Sequence, residues 1–309
     1  MSFPAPADVP FGSGRPPKVL GVGLRAVEPM RWLDLSGDVT VEMAAKEAVL
    51  AERRAEVVAT VPGSEEAGTE LAELVVATVM DDDRWHLAPG GVLTPAATVV
   101  DPVAGHGIDA AARLVPDDLC LLDGEDHRLV AASVAAPNRW RLADKIGRRP
   151  AEVHAPVPGY DAALAGPVER VLANLRPGRP VERRNWGLLD DPTRFQPVGT
   201  PAAAGLTSDE VAGRLWLRIE RQGLLRLPRT GAIVFSIRTR QWPLAALADP
   251  GAGAAAAGLA AALTELPETL AAYKGVAAYR APVLAWLRSL PASRPGPGTS
   301  QGFPRSTAT

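Results

Sequence analysis

Hydrophobic spacing divides the chain into a helical part, a strand-like part and a second helical part. Residues 41–60 are rich in Ala, Glu and Arg and carry apolar residues at helical spacing. Ser64 stands where it can cap a second helix reaching about Met80, since Glu65 and Glu66 follow in the first turn, where carboxylates suit the helix dipole. Asp81, Asp82 and Asp83 then make an acidic turn. Beyond this the period changes. Residues 119–122, the turn Asp123-Gly124-Glu125-Asp126 and residues 128–134 read as strand, turn, strand. Alternation predicts two further strands. In 214–222 one face carries Leu215, Leu217 and Ile219, and the other carries Trp216, Arg218 and Glu220. In 231–240 Ile233, Phe235 and Ile237 oppose Val234, Ser236 and Arg238, with 224–230 as the turn and Pro228 breaking the ladder. Residues 258–290 are helical again, with Pro267 and Pro282 marking helix starts.

The predicted fold is therefore α+β, an antiparallel sheet core with helical N-terminal and C-terminal additions. The expected organisation is a disordered tail over 1–17, a mainly helical region over 18–115 and a core over 116–245. C-terminal helices packed on the core follow over 246–290, then a second tail over 291–309. Both tails are rich in Pro, Gly, Ser and Thr.

Composition narrows the function classes. The net charge of −2 gives no global positive field to gather phosphates, so no nucleic-acid partner is expected. Cys120 is the single cysteine, which excludes an internal disulfide and a CxxC metal or redox pair, as well as CxxCH haem attachment. No apolar run approaches the roughly 20 residues that span a bilayer, and the start of the chain lacks a signal-peptide pattern. The expectation is a soluble, cytoplasmic protein.

The densest chemistry lies between Asn138 and Tyr160. Residues 138–149 hold Arg139, Arg141, Lys145, Arg148 and Arg149 against Asp144 alone, a local balance of +4 in a net negative chain. Such a patch suits an anionic ligand, with a solvated helix face as the plain alternative. His154 directly precedes Ala-Pro-Val-Pro. Pro156 and Pro158 fix their own φ and favour extended Ala155 and Val157, so a side chain beside them is held at little entropy cost. A neutral imidazole held that way can ligate a metal or act as a base.

Several blocks then occur in order: Trp140 with Lys145-Ile146-Gly147; Val153-His154 with Pro156-Val157-Pro158; Arg184-Asn185-Trp186; Arg218-Ile-Glu-Arg-Gln222; Arg226-Leu-Pro228; Ala232-Ile-Val-Phe235 with Ile237-Arg238-Thr239; and Tyr273-Lys274-Gly275. In this order they resemble the haem-dependent oxidative N-demethylases. The resemblance implies a PAS-like core holding haem b, with His154 as the axial iron ligand. It also implies electrons from NAD(P)H through a separate flavin and iron–sulfur reductase, and molecular oxygen as co-substrate. The substrate it implies is a small alkylamine, whose oxidised methyl group leaves as formaldehyde.

Within that resemblance Arg184, Arg218, Arg221, Arg226 and Arg238 are available to haem propionates, which guanidinium groups bind bidentately. Arg238 is also a candidate for the catalytic side. Glu220, Trp186 and Tyr160 are pocket candidates for an alkylammonium; their plain alternatives are a surface ion pair, a core tryptophan and a turn-packing tyrosine. Arg218 and Glu220 share one strand face, where each compensates the other's charge. The sequence departs from the family pattern at Gly223, at Arg240 and in the small residues of 131–137, expected to lie near the pocket. A PAS-like haem or small-molecule sensor without turnover is the alternative reading, and loss of haem a third. Gly298-Thr-Ser-Gln-Gly302 matches a nucleophile elbow as a string only. His86, His106 and His127 are expected to be surface or supporting groups.

Overall fold

The computed structural model describes residues 9–11, 21–199 and 205–291. The tails expected over 1–17 and 291–309, and the Gly298–Gly302 string, lie outside the described residues except for 9–11 and 291. Those three N-terminal residues are not tail-like: Val9 and Phe11 are buried, and Phe11 packs edge-to-face on Trp186 at 5.9 Å.

The strands in chain order are β1 (Arg25–Ala26), β2 (Val58–Thr60), β3 (His86–Ala88), β4 (Gly91–Leu93), β5 (Val99–Val100), β6 (Asp118–Leu122), β7 (Leu129–Ser133), β8 (Val181–Leu189), β9 (Trp216–Arg226) and β10 (Ile233–Pro243). The helices are α1 (Val39–Val57), α2 (Glu65–Val79), α3 (Gly107–Leu114), α4 (Pro150–Val153), α5 (Tyr160–Ala163), α6 (Ala165–Asn174), α7 (Val211–Arg214), α8 (Gly253–Glu265), α9 (Glu268–Tyr273) and α10 (Arg280–Ser289). The fold is α+β, as the hydrophobic pattern predicts. Among the described residues the main sheet runs β1-β8-β9-β10-β6-β7-β2, antiparallel at every pairing. A second small sheet, β3-β4-β5, lies within the region expected to be helical.

Local sequence accounts for the boundaries. Asp38 caps α1 by accepting the Val41 amide. The helix expected through residue 60 ends at Val57, because the β-branched run that follows pairs with β7 as β2. Ser64 sits at the start of α2 without capping it. Its hydroxyl donates to the Val61 carbonyl instead and lies 3.2 Å from His106 Nε2. The strands β9 and β10 run past the expected ends, and the turn shrinks to 227–232. β8 carries no hydrophobic alternation in its Glu-Arg-Arg-Asn run and was not visible as a strand; it is polar on both faces where it crosses the site.

The β8–β9–β10 register assigns two faces. The front face carries Arg183, Asn185, Arg218, Glu220, Gln222 and Thr239. The back face carries Glu182, Arg184, Trp186, Arg221, Arg238 and Arg240. On the back, Leu119, Leu121, Leu225 and Val234 pack against Leu71, Val75, Ile108 and Leu114 of α2 and α3. At the other end Leu188, Leu217, Ile219 and Trp242 pack against Leu259, Leu263, Val283 and Leu287 of α8 and α10. Each buried aliphatic side chain among these contributes roughly 1.5–3 kcal/mol. Between the two cores lies an ionic layer. On the front, α6 places Leu172 and Leu175 on Ile233, and Leu142 meets Cys120 and Ala132. These contacts dock the chain on either side of His154 against the front face, where the charge of Arg183 reaches the imidazole.

Candidate functional site

His154 follows the last residue of the one-turn helix α4. Its Nδ1 lies 2.8 Å from the Pro150 carbonyl oxygen. A carbonyl can only accept, so Nδ1 carries the proton and Nε2 keeps its lone pair. Nε2 has no hydrogen-bond partner among the described residues, and the residue is exposed. Tyr160 stacks on the imidazole at 4.7 Å with the planes 5° apart. Desolvation by the crowded surroundings lowers the His154 pKa; the Pro150 hydrogen bond opposes this, and the charges of Lys145 and Arg183 add to it. The ring is therefore neutral near pH 7. The Ala-Pro-Val-Pro segment is folded into successive turns rather than extended. Val157 donates to the His154 carbonyl and Tyr160 to the Val157 carbonyl, amides that the prolines between them cannot supply.

The ordered sequence blocks meet in space. Lys145 Nζ lies 5.3 Å from the Trp140 ring centre and donates at 2.6 Å to the Val153 carbonyl beside His154. On the sheet, Lys274 Nζ donates to the Trp186 carbonyl (2.8 Å) and to Asn185 Oδ1 (3.3 Å). Asn185 Nδ2 donates to Glu220 Oε2 (3.2 Å), which also accepts from Gln222 (2.9 Å). Glu220 Oε1 accepts from Arg218 Nε at 2.8 Å, and Arg218 Nη2 donates to Thr239 Oγ1 (3.1 Å) and the Ala136 carbonyl (2.6 Å). Burial acts to raise the Glu220 pKa, but the charge and hydrogen bond of Arg218 and the hydrogen bond of Asn185 outweigh it and hold the group ionised. Burial pushes Lys274 down to about 8, against the pull of Glu220.

Comparison with known protein families matches residues 23–284 to the family described as haem-dependent oxidative N-demethylase, alpha subunit-like. The chain belongs to that family. The match spans the sheet, the His154 segment and the first half of α10.

The residues present fit the haem that the family name implies. A histidine-ligated haem uses an imidazole with one bare nitrogen, and cations suit its carboxylates. His154 offers the first. For the second, Arg218 Nη1 is buried with no hydrogen-bond partner among the described residues. Arg183, adjacent to Arg184 but of opposite strand parity, shares the front face and was missed in the sequence. The sequence held no signal for it, because β8 was not visible as a strand and only its register with β9 puts Arg183 on the face of Arg218 and Glu220.

The remaining predicted residues go elsewhere. Arg184 and Arg221 lie on the back face, where both donate to Glu182, at 2.9 and 2.5 Å. Arg238, also on the back, is 1% exposed; its Nε lies 2.8 Å from Glu42, and it donates to the Asp34 and Ser36 carbonyls. Trp186 is a core tryptophan beneath the Lys274 ammonium. Arg226 lies on the front parity, and its three donors go to the Leu172, Leu175 and Gly231 carbonyls, where they close the end of α6. The structure thus brings His154 and Tyr160 to the same side of the sheet as Arg218 and Glu220, and leaves Arg184, Arg221, Arg238 and Trp186 on the other.

Two of the departures from the family pattern also lie on the back face. A Cβ at Gly223 would come within 2.6 Å of Ser236 Oγ across the strand pair, so the partner strand carries a hydroxyl at this level. Arg240 pairs with Asp34 at 3.2 Å and donates to Ser36. Neither borders His154, contrary to the expectation that they lie near its pocket. His127, expected at the surface or in support, is buried and faces Glu169 at 3.1 Å. A groove of about 420 Å³ over residues 26–29 and 174–181 includes none of the predicted site residues. Among the described residues no helix is long and apolar enough to cross a membrane.

Proposed function

We propose that this protein is the haem-carrying component of a monooxygenase that oxidatively N-demethylates a small amine, with His154 as the axial ligand. The observation that carries the reading is the bare, neutral Nε2 of His154, fixed by Pro150 and Tyr160 on the same side as the Arg218–Glu220 pair, in a chain of this family. Bound haem supplies the activation of oxygen. The overall change takes an N-methyl amine, oxygen, two electrons and two protons to the carbinolamine and water. The carbinolamine then collapses to the demethylated amine and formaldehyde.

The chain's own residues have separable parts in this. The Pro150 carbonyl holds the Nδ1 proton and so aims Nε2 outward. Tyr160 keeps the ring from turning. Lys145, by its charge, disfavours protonation of His154, which would abolish ligation. Arg218 and Glu220 hold each other in one geometry, leaving Arg218 Nη1 without a hydrogen-bond partner among the described residues. The electrons come from a separate NAD(P)H-dependent reductase, in keeping with an alpha subunit-like chain that works with other components.

The test is formaldehyde release from dimethylamine by the haem-loaded protein, with oxygen and a flavin and iron–sulfur reductase supplied. Release that tracks NAD(P)H consumption is the expected result. Haem binding with no release from any of a panel of methylated amines contradicts turnover and leaves a haem-binding sensor.

A further inference from the structure

Arg183 is a front-face cation with no hydrogen-bonded or ion-paired partner among the described residues. It lies in β8 directly across from Gln222 of β9. Among the described residues no acceptor is within hydrogen-bond or ion-pair distance of its guanidinium, although the residue is half-buried. The neighbouring positions show how unusual this is. Glu182 takes Arg25, Arg184 and Arg221 at once on the back face. On the front, Glu220 already receives hydrogen bonds from Arg218, Asn185 and Gln222. Asp118, also on this face, accepts the Ala135 and Ala136 amides. Among the described residues no carboxylate pairs with Arg183, and Glu220 acts on it only through its charge. Its charge nevertheless reaches His154 and Lys274, and desolvation lowers its own pKa against the pull of Glu220. A half-buried guanidinium with no internal partner, partly stripped of water, is suited to a planar two-oxygen anion.

We infer that Arg183 is a carboxylate-binding residue of the front face, receiving either a haem propionate or the carboxylate of an N-methylated amino acid substrate. The inference rests on the proposed haem site. It also bears on substrate class, because Arg183, Arg218 and Lys274 stand against Glu220 and Asp118, two carboxylates whose oxygens already accept hydrogen bonds. That charge pattern favours an amine bearing a carboxylate over a bare alkylammonium.

Two measurements separate the two sources. In the first, the haem-free protein is titrated with metal-free protoporphyrin IX and with its dimethyl ester, followed by porphyrin fluorescence, which needs neither iron nor turnover. If the carboxylate is a propionate, the native protein binds the diacid about 10-fold or more tightly than the diester. R183Q then loses that preference, and R183K keeps part of it. In the second, the haem-loaded protein is titrated with N,N-dimethylglycine and with dimethylamine, followed by the Soret difference spectrum. If the carboxylate belongs to the substrate, R183Q weakens dimethylglycine binding by about 10-fold or more, with dimethylamine and the porphyrin preference unchanged. Either pattern supports the assignment. R183Q and R183K that both match the native protein in the two titrations overturn it. A native protein that shows the diacid preference but releases no formaldehyde refutes the proposed reaction and leaves Arg183 standing.

Discussion

Removing Glu220 alone leaves the Arg218 guanidinium 2% exposed with its counter-charge gone. Glu220→Ala is expected to lower stability by roughly 3–5 kcal/mol in chemical denaturation. The double variant Arg218→Met with Glu220→Leu recovers most of that loss, because a well-packed apolar pair has no charge to compensate. Lys145 offers a second check. It lowers the His154 pKa through its charge, so Lys145→Met raises that pKa, as read from the imidazole resonances of the haem-free protein by NMR. At this scale the sequence was informative about pairs and poor about single arginines. Arg218 and Glu220 share a face by simple alternation, and they do pair. Arg183 and Arg184 differ by one step, and only the register with β9 tells which one looks toward His154.

Among the elements, α1 shows how a buried charge can tie a helix to its neighbours. Lys46 is 3% exposed and donates to the carbonyls of Ala112 (2.7 Å), Val115 (3.2 Å) and Asp117, joining α1 to the α3–β6 connection. Burial pushes its pKa down to about 8, against the pull of Asp118 and Asp117. The unfolded chain therefore holds a proton on this lysine between pH 8 and its ordinary value, where the folded chain does not. Folding stability attributable to Lys46 thus rises as pH rises through that window and is lower below it. The native protein is expected to gain roughly 2–4 kcal/mol relative to Lys46→Met between pH 8 and 10.5, measured as the difference of their denaturation free energies. The long helices and the β6–β7 and β9–β10 hairpins were legible, because each carries one clean period. The strand β8 and the β3–β4–β5 sheet were not: β8 is polar on both faces, and the small sheet's strands are two or three residues long.

At the scale of the molecule, two apolar cores lie on the back of the main sheet, joined by an ionic layer. Glu182 in that layer is shared by three arginines, and Asp117 is pushed up to about 6 by burial despite Arg238 nearby. No single-residue reading of the sequence predicts this layer, since its members come from residues as far apart as Arg25 and Arg240. The N-terminal Phe11 closes the second core against α8, where a Cβ at Gly258 would come within 2.1 Å of the Phe11 carbonyl. Gly258→Ala is therefore expected to expel Phe11. The variant loses stability comparable to that of Phe11→Ala, roughly 3–5 kcal/mol, and the pair together cost little more than either alone.

The claim that organises the rest is that the imidazole of His154 holds the iron. The direct measurement is the optical spectrum of protein reconstituted with haem, native beside His154→Ala and beside Tyr160→Phe as a packing control. The account predicts a Soret band in the native protein that is kept in Tyr160→Phe. In His154→Ala the band is shifted or lost, and added imidazole restores it by filling the cavity. An unchanged Soret band in His154→Ala, or no Soret band in native protein given ample haem, would contradict it.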